Sequence, residues 1–292
     1  MLDYHLHLWP HEDAETWLSI DQIADYCEEA AKHGVVEVAL TEHLHRFTQA
    51  ADIVGKFWEK SDDNPAVQES IANYFDHHAR SDLDAYVELA SEAKRQGLPV
   101  KIGMEVDYYQ GQMEEVGTLL SQYPFDVLLG SVHWIGAWQF DDVKNPVVME
   151  QWDARDVDAC WEAYTGAMEE LAATKTCDVL AHPDLIKCAG RIPENPTEWW
   201  DRLAEAAKNS GMAAELSSAG WRNLAHEQYP AVPLLERFIA HGVPMTTASD
   251  AHRVDRVAER MEDLQRLASS SGLTSLASFE NRQRVDIDLE GL

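Results

Sequence analysis

Two periods take turns along this chain. Short apolar runs, often β-branched, suit buried strands, and they alternate with stretches in which apolar residues recur every three or four positions, as in helices packed on one face. The opening run, Asp3-Tyr4-His5-Leu6-His7-Leu8, reads as a strand that empties into the turn Trp9-Pro10-His11. Ser19 is placed to cap a helix whose Ile23, Tyr26, Cys27 and Ala30 share a face, and Gly34 is placed to end it. Further strands are predicted over 35–41, 99–107, 125–133, 178–183, 212–217 and 243–249. Helices are predicted between them over 83–96, 112–122, 156–174, 197–210 and 233–241, with a last one over 254–269. From 47 to 81 the pattern weakens around the turn Ser61-Asp62-Asp63-Asn64-Pro65, which marks an insertion carrying some helix.

Strands alternating with helices imply a parallel sheet with right-handed crossovers, and the absence of a two-half nucleotide-binding layout favours a closed barrel. The 292 residues suit one such domain, 1–292. The predicted strand ends then become informative. They carry His5 and His7, His43, Glu105, His133, His182, Glu215 with Ser217 and Ser218, and Asp250 with His252. In a parallel barrel the C-terminal strand ends converge on one rim, so these groups meet although they are far apart in sequence. Two imidazoles two residues apart on a strand project from one side and make half of a divalent-metal site. The whole set predicts a site for several ions.

Charge narrows the partners. Asp and Glu outnumber Lys and Arg by 52 to 23, a formal net charge of -29, which disfavours nucleic acid and anionic membranes and leaves a small molecule as the expected partner. So acidic a chain also fits adaptation to high salt. The four cysteines, Cys27, Cys160, Cys177 and Cys188, lack a Cys-x-x-Cys spacing, no secretory signal opens the chain, and no apolar run approaches the roughly 20 residues that span a bilayer. A cytoplasmic protein with reduced thiols is expected. Phosphate-loop, Gly-x-Gly-x-x-Gly, Gly-x-Ser-x-Gly and His-Glu-x-x-His motifs are absent, which argues against nucleotide-driven and serine-hydrolase chemistry.

Seven segments carry a resemblance. Asp3-Tyr4-His5-Leu6-His7, Thr41-Glu42-His43, Gly103-Met104-Glu105-Val106-Asp107-Tyr108, Gly130-Ser131-Val132-His133-Trp134-Ile135, Ala181-His182-Pro183-Asp184-Leu185-Ile186-Lys187, Glu215-Leu216-Ser217-Ser218-Ala219-Gly220-Trp221-Arg222 and Ala248-Ser249-Asp250-Ala251-His252 resemble, in order, the motifs of the polymerase and histidinol phosphatase (PHP) family. Gly-Ser-Val-His-Trp-Ile and His-Pro-Asp-Leu-Ile-Lys look like its histidinol-phosphate phosphatase branch. The resemblance implies the PHP fold, a distorted (β/α)7 TIM-like barrel around three divalent ions, zinc, iron or manganese. It implies one ion held by His5, His7, Glu105 and Asp250, a second bridged by Glu105 and held also by His133 and His182, and a third held by His11, His43 and His252, with Glu12 an alternative to His11. Glu105, Asp250 and His252 are the expected catalytic ligands.

Three divalent ions less two carboxylates and a hydroxide leave a charge of about three, enough to draw a phosphate dianion into an acidic protein. A water deprotonated at the metals can then attack phosphorus in line. Lys187, Arg191, Arg222 and Arg253 lie in or beside rim loops and are candidates to grip the phosphate, while Glu42 and Glu215 suit a substrate ammonium. Trp134, Trp138 and Trp221 could flank a planar ring. The resemblance thus implies hydrolysis of L-histidinol phosphate in histidine biosynthesis. Two alternatives remain, another phosphomonoester such as a nucleotide, sugar phosphate or phosphotyrosine, or a metal-binding module without catalysis.

Overall fold

The computed structural model describes residues 1–11 and 17–289. Seven parallel strands form a nearly closed barrel in the order β1 (Leu2–Leu6), β2 (Glu37–Leu40), β3 (Val100–Asp107), β4 (Val127–Ser131), β7 (Val179–Leu180), β8 (Ala213–Ser217) and β9 (Met245–Ala248). Two-residue strands β5 (Trp134–Ile135) and β6 (Trp138–Gln139) make a rim hairpin, and β10 (Ser275–Glu280) pairs antiparallel with β11 (Gln283–Asp288) near the C-terminus. The seam between β1 and β9 is drawn together by a Leu6–Ala251 bridge and by Thr247 Oγ1 donating to the Leu2 carbonyl at 2.6 Å. Asp3, fully buried there, accepts from Ser249 N and Ser249 Oγ at 2.7 Å and from Ala258 N at 2.9 Å.

Helices α1 (Ile20–Lys32), α4 (Leu83–Arg95), α5 (Met113–Leu120), α7 (Val157–Thr174), α8 (Thr197–Ser210), α9 (Val232–Ala240) and α10 (Met261–Ser270) surround the barrel. Ser19 caps α1 by accepting from Gln22 N, and the face it buries is Ile23, Tyr26, Cys27 and Ala30, as the spacing requires. The expected insertion holds α2 (Thr48–Val54) and α3 (Pro65–His78), started by Asn64, whose side chain accepts from Ala66 N and Val67 N. It is tied to the rim hairpin through Asp63, which accepts from Ala137 N at 2.7 Å and pairs with Arg155.

The structure corrects one expectation and adds elements at two places. The last helix begins at Met261, because 254–256 forms a short 3-10 turn and 257–260 a further turn instead. The Trp-rich loop after β4 contains the rim hairpin and α6 (Pro146–Ala154), whose start is set by Asn145 accepting from Val147 N. The C-terminal hairpin was not foreseen. It packs at the strand-starting end of the barrel, where Tyr4 donates to Ser278 Oγ at 2.9 Å and Arg282 pairs with Asp178 at 2.9 Å. Among the described residues no helix is long and apolar enough to cross a membrane, and all four cysteines are buried and unpaired.

Candidate metal centre

Strand alternation and the barrel's convergence bring the rim histidines and carboxylates together. His5 and His7 leave β1 on the same side and are fully buried. Glu105, near the end of β3, lies among them. One of its oxygens is 2.7 Å from His43 Nδ1, 3.3 Å from His5 Nε2 and 3.5 Å from His7 Nε2, and the other is 3.0 Å from His182 Nε2 and 3.6 Å from His133 Nε2. Asp250 adds an oxygen 3.8 Å from His5 Nε2 and 3.6 Å from His7 Nε2. Its backbone φ of 52° and that of His182, 26°, are uncommon for residues other than glycine and hold both groups at an abrupt strand end.

Four sets of donor atoms lie within 4.8 Å of one another: His5, His7 and Asp250; His5, Glu105 and His182; His7, His43 and His252; and His43, Asp107 and His133. Buried polar atoms normally find partners, yet His5 Nε2, both ring nitrogens of His7 and of His43, His252 Nε2 and Glu105 Oε2 accept or donate no hydrogen bond among the described residues. Lone pairs left unpartnered and aimed at a common point fit divalent cations, so these clusters can hold several ions.

A second layer orients the first. Glu215 faces His5 Nδ1 at 3.1 Å and accepts from His182 N at 3.1 Å, Asp107 faces His133 Nδ1 at 2.5 Å, and Glu42 lies 3.7 Å from His7 Nδ1. Each carboxylate favours a proton on the outward ring nitrogen and leaves the inward one as a lone pair. Burial alone would depress His133, but Asp107 and Glu105 outweigh it and raise the imidazole to about 10 without ions bound. Burial opposes ionisation of Glu105, and the charges of His43, His5 and His133 nevertheless hold its carboxyl well below the usual range.

The structure rearranges several expectations. His11 is exposed, its ring centroid 3.8 Å from that of His252 and 5.3 Å from that of His43, while His7 completes the cluster with His43 and His252. Glu12 lies outside the described residues. Glu42 does not line the cavity. It is buried and accepts from Leu8 N and, at 3.1 Å, from Trp9 N, which fixes the turn after β1. Glu215 is likewise committed to His5 and His182. Lys187 is buried, its ammonium 2.9 Å from both Asp184 and Glu227, and it does not reach the cavity. Arg191 pairs with Asp153 outside the cavity.

The cavity over the cluster has a volume of about 680 Å³. Arg222 and Arg253 line it, and so do residues the sequence did not single out, Tyr74, Gln139, Asp141 and Arg256 among them. Arg222 also donates to the Ser249 and Asp250 carbonyls at 3.0 and 2.8 Å, bracing the Asp250 turn. Trp134 and Trp138 are buried, and neither they nor Trp221 lines the cavity. Asp107 carried a readable signal: two residues from Glu105 on one strand, it shares that residue's side of the sheet.

A family model described as PHP domain matches residues 4–219. A protein of Deinococcus radiodurans named probable histidinol-phosphatase is 32% identical over 166 residues, 57% of this chain and 62% of that protein, so the match spans less than two thirds of this relative. A Schizosaccharomyces pombe protein of the same name is 24% identical over 213 residues, covering 68% of this chain and 69% of its own. Among solved structures, histidinol phosphate phosphatase from Lactococcus lactis, complexed with zinc, L-histidinol and phosphate, superposes with a TM-score of 0.70 at 20% identity over 97% of this chain and 98% of that one. At that identity the likeness establishes the fold.

Proposed function

The chain belongs to the PHP domain family, and from that premise we propose that it is a metal-dependent phosphomonoesterase converting L-histidinol phosphate to L-histidinol and phosphate. The observation that carries the reaction class is the buried convergence of imidazoles on Glu105 and Asp250, with unpartnered donor atoms, at the base of a cavity whose mouth carries arginines. The substrate rests on the names of the relatives and on the ligands of the Lactococcus structure.

His5, His7, His43, His133, His182, His252, Glu105 and Asp250 would hold three divalent ions, with His11 at the edge of the His43–His252 side. Zinc, iron and manganese all accept this donor set. When bound, such ions supply Lewis acidity toward phosphoryl oxygens and a hydroxide nucleophile at neutral pH. Glu215, Glu42 and Asp107 keep the imidazoles oriented, and Arg222, Arg253 and Arg256 present cationic groups to the phosphate. No side chain need act as nucleophile. The buried free thiols suit a reducing compartment, and we place the enzyme in the cytoplasm, acting on a small phosphate ester in histidine biosynthesis.

The test is phosphate release from L-histidinol phosphate, AMP and para-nitrophenyl phosphate by protein purified without chelator, with metals counted on the same sample. Preference for histidinol phosphate with close to three metals per chain is the expected result. Faster turnover of AMP would retire the substrate assignment. Bound metal with no turnover of any ester would leave a metal-binding module.

A further inference from the structure

Tyr74 is the cavity residue that the barrel does not supply. It comes from α3 of the insertion, and its hydroxyl lies 3.2 Å from His45 Nε2. The other nitrogen of His45 faces Asp107 Oδ2 at 3.7 Å, and the second oxygen of Asp107 serves His133 Nδ1 at 2.5 Å. At that distance Nδ1 makes no hydrogen bond, but the neighbouring carboxylate charge favours a proton on Nδ1 over a lone pair there, which leaves the lone pair on Nε2. The Tyr74 O–H therefore donates to His45. A phenol has one proton, so what remains for the cavity is the acceptor side of its oxygen.

The rest of the cavity agrees with that polarity. Arg222, Arg253 and Arg256 come from the loops after β8 and β9, where three cations share two carboxylates, Glu259 and Asp255, while Tyr74, Gln139 and Asp141 lie on the side of β2 and β4, across β3 in the strand order. Asp141 keeps a shielded Oδ1 with no hydrogen-bond partner among the described residues, and with Asp142 it outweighs Lys144 on that loop. One side thus suits a phosphate and the other suits hydrogen-bond donors, above all cationic ones.

Resting on the phosphomonoesterase reading above, we propose that Tyr74 recognises the alcohol part of the substrate by accepting a hydrogen bond from an N–H group on it, so that the enzyme selects phosphomonoesters carrying an ammonium or imidazole tail. On this account the insertion sets specificity and the barrel supplies the chemistry. A tail carrying a carboxylate or a second phosphate meets lone pairs and acidic groups, and is disfavoured.

The experiment compares the metal-loaded wild type with Tyr74→Phe on two esters that carry N–H donors, L-histidinol phosphate and O-phosphoethanolamine, and two that do not, phenyl phosphate and para-nitrophenyl phosphate. Loss of one hydrogen bond to a charged donor is expected to lower kcat/KM for the first pair about tenfold, mainly through KM. Turnover of the second pair and metal content should stay as in wild type, while the melting temperature falls by roughly 2–4 °C because buried His45 Nε2 loses its donor. An equal loss on all four esters would make Tyr74 merely structural, and no loss on any would remove it from recognition; either overturns the proposal. A wild type that prefers phosphoethanolamine to histidinol phosphate would retire the substrate assignment, while a defect still confined to the N–H-bearing esters would leave the role of Tyr74 standing.

Discussion

Glu215→Gln probes whether the second layer of carboxylates governs metal binding. In wild type this carboxylate faces His5 Nδ1 at 3.1 Å and accepts from His182 N at 3.1 Å, so it touches two of the three members of one donor cluster. His5 is fully buried, and water cannot replace the lost contact. A glutamine has the same shape but offers one acceptor and one donor group. It can satisfy either His182 N–H or a protonated His5 Nδ1, and its amide then confronts the other donor. The ring must turn, or shift its proton to the inward nitrogen where a cation belongs. Removal of such outer partners weakens metal binding or activity by about 10–100-fold, or about 1.4–2.7 kcal/mol. The assay is competition against a graded series of chelators with metal counted by mass spectrometry, followed by kcat/KM at saturating metal. Part of the activity should return when metal is supplied in excess. Metal affinity equal to wild type would refute the orienting role.

Asp250→Ala and Glu105→Ala should each lower phosphate release by about 100–1,000-fold or more while circular dichroism stays that of the folded barrel, since they remove charge where the transition state needs it; unchanged turnover in either would sink the mechanism. Burial raises Asp3 from 3.8 to about 6 despite its hydrogen bonds, so the folded state holds this proton more tightly than the unfolded chain. Stability should therefore fall by about 2 kcal/mol relative to Asp3→Asn as pH rises from 4 to 6.5, in urea melts with chelator present, and a difference that does not change with pH would contradict the shift. At Gly220 an added Cβ would sit 2.0 Å from the Glu227 carbonyl oxygen. Gly220→Ala should cost about 3 kcal/mol and lower the melting temperature by roughly 5–10 °C, and an unchanged melting curve would show that the loop gives way freely.

Much of this site is legible in the sequence, because the rim of a parallel barrel turns sequence position into spatial position. His5, His43, Glu105, His133, His182 and Asp250 were placed by strand ends alone. What escaped has physical reasons. Lys187 sits in a rim motif beside its local partner Asp184, but its second counterion, Glu227, comes from a later loop, and pairing across loops leaves no mark in the local pattern. Glu42 precedes a histidine of the cluster, yet its carboxylate is drawn back to the amides of Leu8 and Trp9. Tyr74 lies in the insertion, where periodicity was weakest. The C-terminal hairpin turns at Asn281 and Arg282, both with positive φ and without the glycine that usually announces such a turn. Its second strand is largely exposed, so no buried face betrayed it.

His5 and His7 stand near one end of the chain, Asp250 and His252 near the other, yet an ion held by His5, His7 and Asp250, or one held by His7, His43 and His252, would touch both ends. Such an ion acts as a cross-link closing a loop of most of the polypeptide, and it can form only after the final barrel strand has docked. In the unfolded chain those donors are separated by a loop whose closure entropy is large, so preorganisation by the fold, and not local affinity, sets how tightly metal is held. Metal uptake should then be the last event of folding, and a ribosome-bound chain lacking β9 would carry a half-built centre that loses its metal to any competing ligand.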